Sequence, residues 1–398
     1  MTATSNALAS HNGLTSEAFI QQWQRFLTAM AEVGAFVQKD EIAKPPFMQA
    51  QSVRYLMRIF MGMETTAIEL DDPLYPRLVR LFDTYLPYNN TNPDCVYFFS
   101  RISDAETYRI HGKAGNCRIL EVQIMDGHFP AGPDHSSLGT LTDLKGDADG
   151  NIDIVLSATP HDGNWVKLKP GASWLYMRQY YYDWENEQPA DLVIERVGAV
   201  YPPPVISREE LHARVERLIG WIPSWYRHLR SRVASYYDTP ENTLFFVPST
   251  AGMDDMLYGK GHFAMAEGEC VIVEFAPPSC PYWSFQIMND FWETLEFDMN
   301  QSSLNGHQAV LDSDGVFRAV ISTTDPGVAN WLDPVGNLNG LICARVYRPD
   351  VQPLVTMRRV ALAELADHLP ADTLLVDPQQ RSDTLRRRFL ATARRFRE

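Results

Sequence analysis

Apolar residues at Phe19, Trp23, Phe26, Leu27, Met30 and Phe36 recur at helical spacing, so the stretch from Ser16 to Gln38 predicts an amphipathic helix capped by Thr15-Ser16. Tyr55, Leu56, Ile59 and Phe60 continue the style, and this helical layer is expected to end near Tyr85 and Pro87. After the turn-forming cluster 89–94 the pattern changes. Short β-branched and aromatic runs at 96–99, 108–111, 118–125, 152–156, 173–182 and 192–196, separated by Gly and Pro, predict an antiparallel β domain closed by Pro202-Pro203-Pro204. Ser207 with Glu210 is a capping-box signature ahead of Leu211, Val215, Leu218, Ile219 and Ile222. It predicts a helical connector to about Tyr237, bent at Pro223. A second β domain is expected from about Leu244 to Ala361. In the tail, Leu385, Phe389, Leu390, Ala393 and Phe396 form one stripe, with Arg386, Arg387, Arg388, Arg394, Arg395 and Arg397 on the other face. That reads as a docking helix whose basic face meets acidic protein or its own negative dipole end. An anion-binding or membrane-touching helix is the alternative.

The second β region repeats the first. Cys117 to Met125 reads CRILEVQIM and Cys280 to Met288 reads CPYWSFQIM, an offset of 163 that drifts to 165 at DGNIDIVLS/DGVFRAVIS and to 166 at Asn164-Trp165/Asn330-Trp331. Such drift is what loop insertions leave between two copies of one domain. The division expected is a helical segment at 1–85, a first repeat at 86–204, a connector at 205–240, a second repeat at 241–365 and a basic helix at 366–398.

Strand alternation sorts the shared positions by face. Leu120, Val122 and Ile124 correspond to Trp283, Phe285 and Ile287, an apolar core face in both copies. Opposite it, Ile119, Glu121, Gln123 and Met125 correspond to Tyr282, Ser284, Gln286 and Met288. A glutamine kept on a half-polar face needs a partner, and a structural hydrogen bond is favoured over a ligand. Asn164-Trp165 and Asn330-Trp331 each precede a strand with an arginine, Arg178 and Arg345. Presence in both copies favours fold maintenance, although a buried strand arginine must be paired.

Residues found in one copy only are the better suspects for chemistry. Asp126-x-His128 ends a strand of the first repeat, with Asp134-His135 close by, whereas the second repeat has Phe291 opposite His128. The set offers a general-base pair or a partial metal site, against the alternative of exposed loop residues. The second repeat alone has Tyr282, Asp290, Trp292 and Glu293, and the turn Asn92-Pro93-Asp94 lies between Tyr88 and Tyr97. No nucleophile elbow, Walker loop, dinucleotide fingerprint, HExxH or EF-hand pattern occurs.

With 50 acidic and 35 basic side chains the formal charge is −15, which argues against nucleic acid. Five cysteines without CxxC spacing read as reduced thiols. No stretch has signal-peptide or membrane-spanning character, so a soluble cytoplasmic chain without membrane insertion is expected.

The segments NPDCVYFFSRIS, YRIHG, DGNIDIVLSATPHDGNWVKLKPG, MRQYYYDW, CPYWSFQIMNDFWETLEF and DPGVANWLD, spread over roughly 85–350, resemble the bacterial domain of unknown function 1214, often found with its sister domain 1254. The resemblance implies β-sandwich or jelly-roll-like domains mixed with helices, in bacterial small-molecule or lipid catabolism or secondary metabolism. It brings no catalytic residues. The fold expected is therefore α+β, mainly β: two related antiparallel, jelly-roll-like sandwiches with N-terminal, connecting and C-terminal helices. The function expected is an enzyme acting on a small hydrophobic molecule by acid–base chemistry without an organic cofactor, of lyase, isomerase or hydrolase type. His128 is its candidate acid or base, Asp126 the orienter, and Arg178 or Tyr282 the polarising group. Tyr88, Asn92, Asp94, Tyr97, Gln123, Gln286, Trp292 and Glu293 are candidate substrate contacts. The alternatives are a metal-dependent enzyme using Asp126, His128, Asp134 and His135, and a non-catalytic lipid or carbohydrate binding protein.

Overall fold

In a computed structural model, residues 15–40, 45–127, 135–249 and 252–397 are described. The opening pattern forms α1 (Ser16–Lys39), where the Thr15 hydroxyl accepts from Ala18 N at 3.3 Å, and α2 (Pro46–Glu64), which runs on into a π-helical turn at Thr65–Glu69. The first repeat follows as β1 (Cys95–Arg101), β2 (Tyr108–Lys113), β3 (Ile119–Met125), β4 (Ser137–Leu141), β5 (Asn151–Ser157), β6 (Asn164–Lys167), β7 (Trp174–Tyr180) and β8 (Asp191–Arg196). Then α3 (Arg208–Tyr237) begins at Ser207, whose side chain accepts from Glu210 N, and carries Pro223 in its interior as one unbroken element. The second repeat comprises β9 (Thr243–Pro248), β10 (Met256–Ala264), β11 (Glu269–Phe275), β12 (Tyr282–Met288), β13 (Ser303–Asn305), β14 (Phe317–Ile321), β15 (Trp331–Leu332), β16 (Asn339–Tyr347) and β17 (Val355–Ala361). The short α4 (Leu365–His368) and then α5 (Pro378–Arg395) end the chain's regular structure. No helix among the described residues is long and apolar enough to cross a membrane.

The two repeats match strand for strand. One sheet of the first has the order β1-β7-β3-β4, and its counterpart is β10-β16-β12-β13, with β9 added at the edge. The other sheets, β6-β5-β2-β8 and β15-β14-β11-β17, correspond in the same way. Each pair of sheets encloses a core, of Ile110, Val122, Ile124, Ile154 and Met177 in one copy and Val273, Phe285, Ile287, Phe317 and Ile342 in the other. This is the duplicated, two-sheet, mainly β architecture that the repeat predicts.

The sheets depart from pure antiparallel pairing at one place, twice. β5 pairs with β6, and β14 with β15, in parallel. The duplicated Asn-Trp pair supplies the bonds that tie these short edges down. Asn164 Nδ2 donates to Lys145 O at 2.8 Å and Asp153 O at 3.0 Å, and Asn330 Nδ2 donates to Val310 O at 2.6 Å and Arg318 O at 3.0 Å. The indoles of Trp165 and Trp331 donate to Ser157 O and Ser322 O at 3.3 and 2.9 Å.

The C-terminal helix docks, and it does so through arginines, Arg388 and Arg395 of its basic face among them, rather than through the apolar stripe. The side chains that α5 buries are Arg381, Arg388, Ala391, Thr392 and Arg395, while Phe389 is 41% exposed. Three arginines spaced by seven lie on one helical face. Two of them lie over the Trp184 indole, each guanidinium 4.3 Å from a ring centroid. Arg395 also donates to Pro93 O and Arg388 to Phe297 O, both at 2.5 Å, and Arg381 pairs with Asp325 at 3.0 Å. Guanidinium stacking and carbonyl acceptors let these cations sit in a buried contact.

The inner sheets, which contain β7 and β12, are buried on both faces: every residue of those two strands is buried. Their second faces meet each other, with the Tyr180 and Tyr282 rings 5.5 Å apart. α2 and α3 pack across one end of this junction, where Tyr88 lies against Phe82 and Trp225.

At that point α2 needs a glycine. A Cβ on Gly62 would stand 1.8 Å from the Tyr88 hydroxyl and 2.6 Å from its Cζ. We expect Gly62→Ala to destabilise the protein by about 2 kcal/mol in urea unfolding, since overpacking outweighs the roughly 1 kcal/mol gain in helix propensity. An unchanged or raised midpoint would show that Tyr88 yields without strain.

Candidate functional site

Between the two inner sheets and α3 lies a cavity of about 530 Å³. Its wall follows from two periodicities. On strands, alternate residues share a face, which brings in Tyr97 and Phe99, Tyr176 and Arg178, Tyr258 and Lys260, and Arg345. On α3 the helical spacing presents His228, Arg232, Ser235 and Tyr236. Trp292, Phe82, Asn89, Asn90 and His135 complete most of the rest. The result is an aromatic chamber with four basic side chains, Arg178, Arg232, Lys260 and Arg345, and no carboxylate among the described lining residues.

The two strand arginines occupy equivalent positions. Arg178 stands opposite Tyr97 on one side and Glu121 on the other, and Arg345 opposite Tyr258 and Ser284. Arg178 donates to Glu121 Oε2 at 2.7 Å and to Gln123 Oε1 at 2.8 Å, an ion pair almost wholly out of water. Burial pushes the Glu121 carboxyl up, and the adjacent guanidinium opposes it. Arg345 donates instead to Gln286 Oε1 and, at 2.7 Å, to Asn90 O. The duplicated glutamines thus serve as arginine holders. Gln123 is anchored through Gly252 O at 2.9 Å, and Gln286 through Asn90 Oδ1, Thr91 O and Thr294 Oγ1 at 3.0, 3.1 and 2.9 Å.

Asn92, Asp94 and Tyr282 come together away from this wall, in a network that joins the repeats. Asp94, 1% exposed, accepts from the Trp184 indole, Asn305 Nδ2 and the Tyr282 hydroxyl, each at 2.7 Å. Asn92 Nδ2 donates to the Tyr282 oxygen at 2.9 Å, and the Asn92 backbone N–H to the Tyr97 hydroxyl at 3.2 Å. Burial pushes the Asp94 carboxyl up, countered by Tyr282, Asn305, Arg395 and Trp184; burial also places the Tyr282 phenol far above its ordinary range.

The remaining sequence candidates separate. Tyr97 and Trp292 line the cavity, the latter with a left-handed φ of 61°. Tyr88 sits in the helical core. Glu293 accepts from Arg58 and Asn289 at 2.8 and 2.9 Å beside a separate hollow of about 140 Å³. Asp126 accepts from Ser136 N at 2.6 Å and Ser136 Oγ at 2.7 Å. Slight burial raises the Asp126 carboxyl, but these bonds win and hold it below its ordinary value. His128 and Asp134 lie outside the described residues, among which no group of three His, Cys, Asp or Glu side chains could hold a metal ion.

Sequence reasoning passed over His228, Arg232, Tyr258 and Lys260. Their signals were present in outline: a helical spacing of polar residues late in α3, and a Tyr-x-Lys alternation in β10. Neither says which way an element turns. His228 is 6% exposed, its Nδ1 has no hydrogen-bond partner among the described residues, and its ring centroid lies 6.2 Å from that of His135. Burial first, then Arg232 and His135, push its proton affinity down to about 4. A neutral imidazole therefore belongs to the wall of a cationic chamber, which suits the site to stabilising negative charge.

The family model described as "Protein of unknown function (DUF1214)" matches residues 100–182 and 267–351, one segment in each repeat. Among solved structures, an uncharacterized protein from Burkholderia cenocepacia is similar with a TM-score of 0.82 at 27% identity, over 86% of this chain and 97% of that one. The VPA0106 protein from Vibrio parahaemolyticus is similar with a TM-score of 0.46 at 13% identity, over 77% and 97% of the two chains. No curated protein matches the chain.

His228 makes stability depend on pH with a definite sign. Its folded affinity, about 4, lies below the ordinary value of 6.5, so its contribution is complete above 6.5 and is lost as the pH falls toward 4. His228→Gln should flatten the fall in melting temperature across that window. Parallel curves for the two proteins would remove His228 as a source of acid sensitivity.

Proposed function

The chain belongs to the DUF1214 family of proteins of unknown function, and we propose that it takes a small molecule with a hydrophobic body into the chamber between its two repeats. The observation that carries the reading is the chamber itself. A hollow of about 530 Å³ at a junction of repeats, walled by Tyr97, Phe99, Tyr176, Tyr236, Tyr258 and Trp292 with a few converging polar groups, has the composition of a ligand site rather than of a packing defect. Aromatic faces supply apolar contact at little cost in side-chain freedom.

A second reading, acid–base turnover of the bound molecule, is favoured by His228. Its imidazole stays neutral at pH 7, with Nδ1 unpartnered among the described residues, and so has a lone pair to offer a carbon acid, although its lowered affinity makes it a weak base that depends on charge stabilisation of what remains. Neighbouring cations stabilise the enolate that remains. Its check is solvent-deuterium exchange at the benzylic carbon of phenylacetone, followed by proton NMR. Exchange at least about tenfold faster than in buffer, and lost in His228→Gln, is the expected result; no acceleration would remove this reading for that class of compound.

Binding itself is tested with a neutral solvatochromic probe, N-phenyl-1-naphthylamine. We expect saturable, single-site fluorescence enhancement that Ser235→Trp weakens by at least about tenfold, or roughly 1.4 kcal/mol, by filling the chamber. Binding that ignores the substitution in a folded variant would place the probe elsewhere and count against the proposal.

A further inference from the structure

We infer that the occupant of the chamber is an organic anion, a carboxylate on an apolar or aromatic body, whose charged group is received by Arg345. The inference rests on the reading of the chamber above and adds the chemical class of the ligand. It starts from a difference between equivalent residues. In the first repeat Glu121 lies across from Arg178 and neutralises it at 2.7 Å. In the second repeat the residue across from Arg345 is Ser284, and Arg345 is held by an amide oxygen and a backbone carbonyl. Both arginines are buried, 7% and 3% exposed, yet only one has a counter-ion among the described residues.

A guanidinium at such a depth stays charged and needs compensation. The Tyr258 ring, 5.5 Å away, and two neutral oxygens give part of it. The rest is open to the chamber that Arg345 lines. Further positive charge converges on the same space. Lys260 stands with its amine 5.9 Å from the Tyr236 ring, and Arg232 comes from α3. Burial and Arg232 both push the Lys260 amine down, a crowding that an anion would relieve. In a protein of formal charge −15, a chamber whose described wall has three basic side chains besides the paired Arg178, and no carboxylate, is a local inversion of the overall field. A planar carboxylate suits the N–H groups that Gln286 and Asn90 leave free on Arg345, because guanidinium and carboxylate present matching forks. Arg178, already paired, is not the anchor.

Calorimetric titration of the full chain with 1-naphthoate and its neutral isostere 1-naphthamide tests this. Naphthoate is expected to bind at least about tenfold more tightly at low salt, with the preference shrinking as ionic strength rises. Arg345→Gln should erase the preference. Ser284→Glu, which copies the first repeat's counter-ion into the second, should erase it too while leaving a paired arginine, so the result does not depend on one variant folding. Equal binding of acid and amide to the wild type overturns the anion inference and leaves the chamber reading in place. Failure of naphthoate, naphthamide and N-phenyl-1-naphthylamine alike overturns both. A preference that survives in folded Arg345→Gln and Ser284→Glu overturns the assignment to Arg345.

Discussion

Two β-sheets that already cover a core on one side press their other faces together, and those second faces are half-polar, mixing aromatic rings with charged and amide side chains. Everything at the centre of the molecule answers to that constraint, because a hydrogen-bonding group taken out of water must find a partner inside. Asp94 finds three donors, from Trp184, Asn305 and Tyr282, contributed by both repeats. Gln123 and Gln286 spend their carbonyl oxygens on arginines and their amides on backbone. Where side chains close this accounting, the sheets touch, as at Tyr180 and Tyr282. Where cations gather instead, they stand apart and leave the chamber.

The duplication gives this interface an approximate symmetry, from which the charge balance departs. Arg178 with Glu121 and Arg345 with Ser284 share a place in the sheet and differ in charge balance. A residue kept by both copies is therefore not scaffold by that fact alone. Asn164-Trp165 and Asn330-Trp331 do the same structural task in each copy, fastening a short parallel edge. The two arginines share a location while their partners diverge.

The C-terminal helix teaches a related point about charge. Reading amphipathicity from sequence sends arginines to solvent, since burying an isolated charge is costly. Arg381, Arg388 and Arg395 go inward because the interior they meet is prepared for them: Asp325, the carbonyls of Pro93 and Phe297, and the indole of Trp184. None of those partners is near them in sequence, so the local pattern gave a basic docking face but not the groups that receive it. The same holds for His228, whose depth in the chamber depends on how α3 rotates against the strands.

Local signals along the chain are enough to read the elements and their duplication. Period-two alternation around Val122 and Phe285, the caps at Thr15 and Ser207, and the offset between CRILEVQIM and CPYWSFQIM are local or repeated signals, and local physics suffices to read them. The sequence also showed the exchange of Glu121 for Ser284, which gains meaning only once each is known to lie beside an arginine. Tertiary structure alone decided which face meets which, that Tyr282 and Asp94 bind each other, and that Arg345 is left without a described counter-ion at the edge of a cavity. The physical reason is that charge compensation and enclosure are properties of groups brought together from distant parts of the chain, and spacing along the chain does not encode them.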